Sequence, residues 1–261
     1  MKKPKISIIM SAYNAGSTIH YAIESIQAQT FSCWELIVVD DGSIDETRSI
    51  IKSYADSDSR IILIENGKNL GLPTSLNKAI KLSKSDFIAR ADADDFNMPL
   101  RLEKQYKYIS KHANVDILGT GAFLIYKQNN CNNRLSLLDA KIPDFKVSLI
   151  SPYFFHPSVI IRRSFFEKVG LYDESFFLAQ DLDLWIRGAK LGAGYYNLQE
   201  PLIKYTIGDN DRGYGYLATK MKILLKISKK HKVNLGRVTV YILFIRSILV
   251  KLNIYTPKSA K

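Results

Sequence analysis

Asp92 and Asp94 stand one residue apart in the run Asp92-Ala93-Asp94-Asp95, directly behind the apolar segment DFIARA of residues 86–91. Carboxylates crowded onto one tight turn repel each other unless a cation joins them. Hard divalent ions such as Mg2+ or Mn2+ take oxygen ligands and share their shell with substrate phosphates, so this spacing suits a metal that grips a phosphorylated ligand. A solvated acidic turn, or a helix N-cap ahead of Pro99, uses the same residues without an ion. Asp40-Asp41-Gly42-Ser43 closes a second apolar run, ELIVV. An acidic pair there can accept hydrogen bonds from a base N–H or from ribose hydroxyls; Ser43 and Asp45 also suit the cap of the following helix. The chain holds neither G-x-G-x-x-G nor G-x-x-x-x-G-K-[ST]. Dinucleotide cofactors and P-loop ATP hydrolysis thereby lose their main support.

The elements that must position these clusters alternate. Lys5–Tyr13, Glu35–Val39, Arg60–Glu65 and Asp86–Ala91 are short apolar runs that predict buried strands. Between them, Ser17–Gln29 carries Ile19, Ala22, Ile23 and Ile26 at helical spacing, and Leu72–Ser83 groups Leu76, Ala79, Ile80 and Leu82. Ile44–Tyr54 is predicted helical with Asp45 and Glu46 in its first turn, where the helix dipole favours acids. Pro99 is placed to open a helix over Leu100–Ser110. Such alternation predicts an α/β fold, a mostly parallel sheet sandwiched by helices. Ligands of these sheets bind beyond the carboxyl ends of the strands, and Ser11–Asn14, Asp40–Ser43 and Asp92–Asp95 all fall there.

Beyond residue 110 the pattern loosens. Val115–Tyr126 reads as a strand broken at Gly119 and Gly121, Ser158–Ile161 as a short strand, and Leu198–Ile207 as extended. Asp181–Leu191 reads as a helix with Leu184, Trp185 and Ala189 on one side; at that spacing Trp185 is core before it is a sugar platform. Residues 208–215 (GDNDRGYG) form a glycine-rich loop, and the chain from Leu217 reads as two helices broken near Asn234–Gly236.

Composition bounds the rest. The 261 residues are 46% hydrophobic and 24% charged, which excludes disorder as the main state. Two cysteines, Cys33 and Cys131, exclude a disulfide scaffold and a cysteine-rich zinc site. The apolar stretch Ile6–Met10 is short for a signal peptide, and no uncharged apolar run reaches membrane-spanning length, so a cytoplasmic location is expected. The net charge is +12, and Arg212–Lys261 hold twelve basic residues and no acidic one, so residues 1–211 are balanced. Met221–Ile227 and Val238–Leu252 interleave apolar and basic residues. This predicts an amphipathic tail on an anionic membrane surface, with a helix pair packed on the body or a dimer contact as the alternatives. No nucleic-acid reader motif accompanies the basic tail, so no nucleic-acid partner is expected.

KISIIMSAYN, TFSCWELIVVDDGSIDET, NLGLPTSLNKAI and DFIARADADDFNMPLRLEKQ, in that order, resemble the family 2 glycosyltransferases of the GT-A fold, over about residues 4–207. The resemblance implies a nucleotide-diphosphate-sugar donor, UDP-linked by default, a divalent cation (Mn2+ or Mg2+), and inversion at the anomeric carbon. It implies residues 1–211 as the catalytic domain, with a nucleotide-binding half to about 98 and an acceptor-binding half from about 99, followed by the 212–261 tail. Ser11, Tyr13 and Asp41 fall where the family contacts base and ribose. Asp92 and Asp94 fall on its DxD motif, Asp94 as direct metal ligand and Asp92 nearer the ribose. AQDLDLW resembles the family's acidic helix start and places Asp181 as general base. HPSV at 156–159 resembles a segment on the acceptor side, which puts His156 among the substrate contacts. N-capping of the following helix is the competing role for Asp181, and a packed turn residue that for His156.

Two departures stand out. Gln180 occupies the place of the family's Glu and bears no charge, and Tyr205-Thr206-Ile207-Gly208 replaces a segment where many relatives carry Arg and His near the diphosphate. Either Arg212 supplies that positive charge or the ion carries more of it. The expected activity is transfer of a sugar to a glycan or lipid-linked acceptor in surface-polysaccharide synthesis, peripheral on the inner face of the cell membrane. A non-catalytic nucleotide-sugar-binding protein or scaffold is the alternative.

Overall fold

The computed structural model describes residues 3–126, 134–140, 153–207 and 214–232. Four strands, β1 (Ile6–Ala12), β2 (Trp34–Asp40), β3 (Ile61–Glu65) and β4 (Phe87–Arg90), pair in parallel in the order β3-β2-β1-β4. Helices α1 (Ile19–Gln27), α2 (Thr47–Ser57) and α3 (Leu72–Leu82) make the crossovers. The strands are apolar without alternation because both faces are covered. Ile8, Met10, Leu36 and Val38 meet Ile23 of α1 and Ile51 of α2, while Ile9, Ile37 and Val39 meet Leu76 and Ile80 of α3.

The second half extends this sheet. It comprises β5 (Phe96–Asn97), α4 (Arg101–Ile109), β6 (Ile117–Tyr126), β7 (Arg134–Ser136), a 3-10 turn at His156–Ser158, β8 (Ile160–Arg162), α5 (Arg163–Val169), α6 (Gln180–Lys190), β9 (Tyr195–Ile207) and α7 (Tyr214–His231). β8 runs antiparallel between β4 and β6, β9 lies parallel to β6, and β5 closes antiparallel on β9. The expected break in β6 is a register shift between Thr120 and Ala122, where Gly121 faces Pro201 across the ladder. A Cβ on Gly121 would sit 3.1 Å from the Glu200 and Ser136 carbonyl oxygens, so the close approach of the three strands requires glycine. Beyond the shift, β9 crosses the turn that follows β4. The Thr206 N–H donates to Asp95 Oδ1 (2.7 Å) and its hydroxyl to the Asp94 carbonyl (2.6 Å).

Several expectations shift. α2 starts at Thr47, so Asp45 and Glu46 precede its first turn, because Asp45 is engaged by the Thr47 hydroxyl (2.5 Å) and the Gly16 N–H (2.9 Å). α4 starts at Arg101, two residues after Pro99, whose carbonyl accepts the Thr30 N–H. His156–Ser158 curl into a 3-10 turn and β8 begins only at Ile160. β5, β7 and α5 had no counterpart in the sequence reading. Ile223, Leu224 and Ile227 of α7 are buried, and Ile223 and Ile227 pack with Phe176 and Ile186, so the Met221–Ile227 stretch turns its apolar side to the body. Arg212, the 208–213 stretch, the expected break at Asn234–Gly236 and the segment Val238–Leu252 lie outside the described residues.

Candidate active site

The acidic turn is built on two buried arginines. Arg90, the last residue of β4, is 2% exposed and forms an ion pair with Asp92. Burial alone would pull its pKa down, but the Asp92 carboxylate outweighs this and holds it above the usual value. Arg101, the first residue of α4, is equally buried. It donates to the Arg90 carbonyl (2.8 Å), to Gln105 Oε1 (3.1 Å) and to Asn97 Oδ1, which fixes the backbone on both sides of the turn. Asp94 faces solvent, whereas Asp95 is buried and its Oδ2 has no hydrogen-bond partner. Burial first, then the charges of Asp92 and Asp94, push the Asp95 carboxyl well above the usual carboxylate range.

The loops after β1 and β2 are stitched to each other. The Asn14 N–H donates to Ser43 Oγ (3.0 Å), the Ile44 N–H to Asn14 Oδ1 (3.0 Å), and the Ala15 N–H to Thr47 Oγ1 (2.7 Å). Ser43 thus serves a loop-to-loop contact, whereas Asp45 takes the Gly16 N–H and also caps α2 as expected, its Oδ1 accepting the Thr47 N–H (3.1 Å). Asp41 is buried and accepts from Asn66 Nδ2 (2.8 Å), Leu70 N–H (2.9 Å) and Gly71 N–H (2.8 Å), bracing the loop after β3. Gly42 (φ +77°) lets that loop close, since a Cβ there would meet the Lys68 carbonyl carbon at 2.4 Å. Above this scaffold Tyr13 is exposed and Ser11 half-buried, and Asp40 Oδ1 is buried with no partner.

The third side is formed by His156, Tyr172 and the start of α6. His156 Nε2 lies 2.8 Å from the Tyr172 hydroxyl. Burial, then the Arg90 cation, hold the His156 pKa well below the usual value, so the ring is neutral. Burial holds the Tyr172 phenol above its usual value, with the Asp181 and Asp92 carboxylates adding to the effect. Tyr172 therefore keeps its proton and donates to Nε2, leaving the imidazole proton on Nδ1. The Tyr172 hydroxyl thus feels the charge of a carboxylate from the acidic turn and of one from α6. α6 starts from Ala179 in the left-handed region (φ +58°), and no side chain caps it there, so Asp181 lies within the first turn and is not the cap. Asp181 is half-buried. Asp183 is fully buried and accepts from Arg187 Nε (2.8 Å), Lys230 Nζ (2.7 Å) and His231 Nε2 (2.8 Å). Burial works against its ionisation, and these donors outweigh it and keep its pKa low.

Residues 7–170 match the profile described as Glycosyl transferase family 2. The chain belongs to this family and is a glycosyltransferase. It is 37% identical over 204 residues to the putative glycosyltransferase EpsE of Bacillus subtilis, covering 77% of this chain and 72% of that one. An uncharacterized glycosyltransferase of Methanocaldococcus jannaschii is 35% identical over 219 residues, covering 81% and 73%. The O-antigen biosynthesis glycosyltransferase WbnJ of Escherichia coli is 33% identical over 211 residues, covering 77% and 79%. Among solved structures, S. aureus TarS in complex with UDP superposes with a TM-score of 0.64 at 20% identity, over 87% of this chain and 71% of that one. The mannosyltransferase PcManGT of Pyrobaculum calidifontis, in complex with GDP-Man and Mn2+, gives 0.67 at 18% identity, over 97% and 71%. These likenesses establish the GT-A fold.

In this glycosyltransferase the sequence-picked residues form two groups. Ser11, Tyr13 and Asp41 ride on the neighbouring strand ends of β1 and β2. Asp92 pairs with Arg90, His156 bonds to Tyr172, Tyr172 feels the charge of Asp181, and Gln180 and Asp181 open α6. Gln180 is 6% exposed, and its Oε1 is buried without a hydrogen-bond partner. Trp185 is core, as expected, with its ring edge-on to His156 at 6.0 Å. Arg90 and Tyr172 fall outside the residues picked from the sequence, while Asp95 belongs to the polar cluster Asp92–Asp95 named there without a role of its own. Arg90 had a signal, as the charged residue inside the apolar run Phe87–Ala91; Tyr172 had none.

Proposed function

We propose that this glycosyltransferase moves a sugar from a nucleotide-diphosphate donor to a hydroxyl of a glycan or lipid-linked acceptor, with inversion, in the synthesis of a cell-surface polysaccharide. The observation that supports the reading is the Arg90–Asp92 pair after β4 together with the His156–Tyr172 hydrogen bond and a carboxylate, Asp181, in the first turn of α6, with Tyr172 feeling the charges of both acids. Asp181 takes the acceptor's proton as the oxygen attacks, a role worth about 10²–10⁴-fold in rate. Ser11, Tyr13 and Asp41 border the nucleotide, and His156 and Gln180 the acceptor. WbnJ and the amylovoran biosynthesis relative AmsE of Erwinia amylovora, 27% identical, support the polysaccharide context by their names. TarS bound to UDP-GlcNAc and PcManGT bound to GDP-Man leave the nucleotide open between uridine and guanosine, with uridine proposed.

The acidic turn suits a divalent ion. Its donors are all carboxylate oxygens, and the buried Asp95 Oδ2 has no hydrogen-bond partner. No group of three metal-binding side chains occurs among the described residues, so an ion here would have to complete its shell from phosphates and water. Asp94, with Asp92, would hold Mn2+ or Mg2+, which when bound supplies Lewis-acid stabilisation of the diphosphate leaving group.

A thermal-shift series with UDP, GDP, UDP-GlcNAc and GDP-mannose, each with and without MnCl2, tests the reading together with release of nucleoside diphosphate. The wild type should be stabilised by a nucleotide only with Mn2+ and should release it from the matching sugar. Asp94→Ala should lose the metal-dependent shift, and Asp181→Asn should keep the shift but lose turnover. Full activity in Asp94→Ala removes the metal role, and binding without turnover of any donor points to a nucleotide-sugar-binding protein instead.

A further inference from the structure

Between α5 and α6 runs a strap, Tyr172–Ala179, that carries Tyr172 and delivers Asp181. Its near side is fixed to α3. Asn77 Oδ1 accepts the Tyr172 N–H (3.0 Å), and Asn77 Nδ2 donates to the Tyr172 carbonyl (2.9 Å) and to Glu174 Oε1 (2.9 Å). Thr74 Oγ1 completes this edge by donating to Glu174 Oε2 (3.0 Å). Its far side is fixed to α7. Phe176 is buried beneath the Lys226 and Lys230 ammonium groups, 4.6 and 5.0 Å from the ring centre, and Lys226 donates to the Ser175 carbonyl (3.3 Å).

Lys230 does more than cover the ring. Its Nζ donates both to Asp173 Oδ2 (2.8 Å), at the start of the strap, and to Asp183 Oδ1 (2.7 Å), in the first turn of α6. The intervening backbone includes Ala179 in the left-handed region, which costs a non-glycine residue about 1 kcal/mol and so has to be imposed by the surroundings. One ammonium group thus closes a staple across residues 173–183. Asp181 sits inside it.

We propose that Lys230, on the helix that follows the sheet, is a positioning residue for glycosyl transfer: by holding Asp173 and Asp183 together it fixes the strap and sets the place of Asp181. The proposal rests on the reading of Asp181 as the base. The far helix is then part of the frame of the active site.

The test uses the full chain with MnCl2 and either UDP-GlcNAc or GDP-mannose, whichever the wild type turns over. Lys230→Met keeps the apolar stem over Phe176 and removes the charge; Lys230→Arg restores it. For Lys230→Met, kcat should fall about 10–100-fold, the scale of a small misplacement of a reacting group. KM for the donor should stay within about twofold, because the nucleotide loops are untouched. Amide exchange in peptides spanning 172–183 should rise by about tenfold or more while β1–β4 peptides stay protected. Lys230→Arg should recover most of kcat. Wild-type kcat in a folded Lys230→Met protein, or unchanged exchange in 172–183, overturns the proposal. If Lys230→Met fails to fold, Asp173→Asn cuts the exposed end of the staple alone and should give the same exchange signature with a smaller loss of kcat; no change in either refutes it. A wild type that neither binds nor turns over any donor refutes the reading of Asp181, whereas unchanged exchange refutes the staple.

Discussion

The Arg90–Asp92 pair yields an asymmetric prediction. Arg90 is 2% exposed and its Nε has no hydrogen-bond partner, while the Asp92 side chain keeps 27% exposure. Asp92→Asn therefore leaves a buried cation without its counter-ion, a defect that costs about 3–5 kcal/mol in general. Asp95, near enough to feel Arg90, can ionise in partial compensation, which places the expected loss near the lower end, about 3 kcal/mol. Arg90→Met leaves Asp92 unpaired but able to reach water, and relieves the repulsion between Arg90 and Arg101, so about 1–2 kcal/mol is expected. The double variant removes both charges and should return to within about 1 kcal/mol of wild type, giving a coupling of roughly 3–5 kcal/mol. Urea unfolding of the four proteins at pH 7.5, with matched m-values, measures each quantity. Additive losses, or an Asp92→Asn protein more stable than Arg90→Met, would falsify the account of Arg90 as a buried charge sustained by Asp92. The cycle also separates stability from chemistry: activity missing from a well-folded double variant belongs to the site.

His156 is held neutral, with a folded pKa well below an unfolded value of about 6.5, so the unfolded chain takes up a proton that the native state refuses as pH falls. Stability should therefore drop from about pH 6.5 downward, by at most about 1.4 kcal/mol per pH unit from this group, and His156→Gln should flatten the urea midpoint between pH 7.5 and 5.5; equal slopes in both proteins would show that His156 titrates normally. For the basic tail, co-sedimentation with phosphatidylglycerol vesicles should exceed that with phosphatidylcholine, fall with salt, and disappear on truncation after Lys232, since each basic residue adds about 1 kcal/mol at an anionic surface. Retained binding by the truncated chain would move the contact to α7 or the body.

The parallel half was legible because its physics is local. β1 and β2 are buried on both faces, so their apolar runs carry no alternation, and each ends in polar residues that no packing argument explains. The extensions were not legible for the same kind of reason. β5 has two residues and β7 three, too few for any period, and each exists only because β9 or β6 lies alongside. Arg163–Val169 forms α5 from a run whose Phe165 and Phe166 are both buried, a pattern that adjoining strand and helix fit equally.

The site divides along the same line. Carboxylates announce themselves, because Asp at the end of an apolar strand has no reason to be there except a cap or a ligand. Their partners do not. Arg90 is hidden in the strand that precedes its acid, and Tyr172 reaches His156 through a strap whose path depends on Asn77, far away in sequence. Asp181 and Asp183 show how much periodicity decides. Two residues on a helix are turned about 200° apart, so one of these acids had to face the body if the other faced the substrate side. Nothing within α6 says which. The side of Asp183 is decided from outside α6, where Lys230 and His231 of α7 donate to its carboxylate.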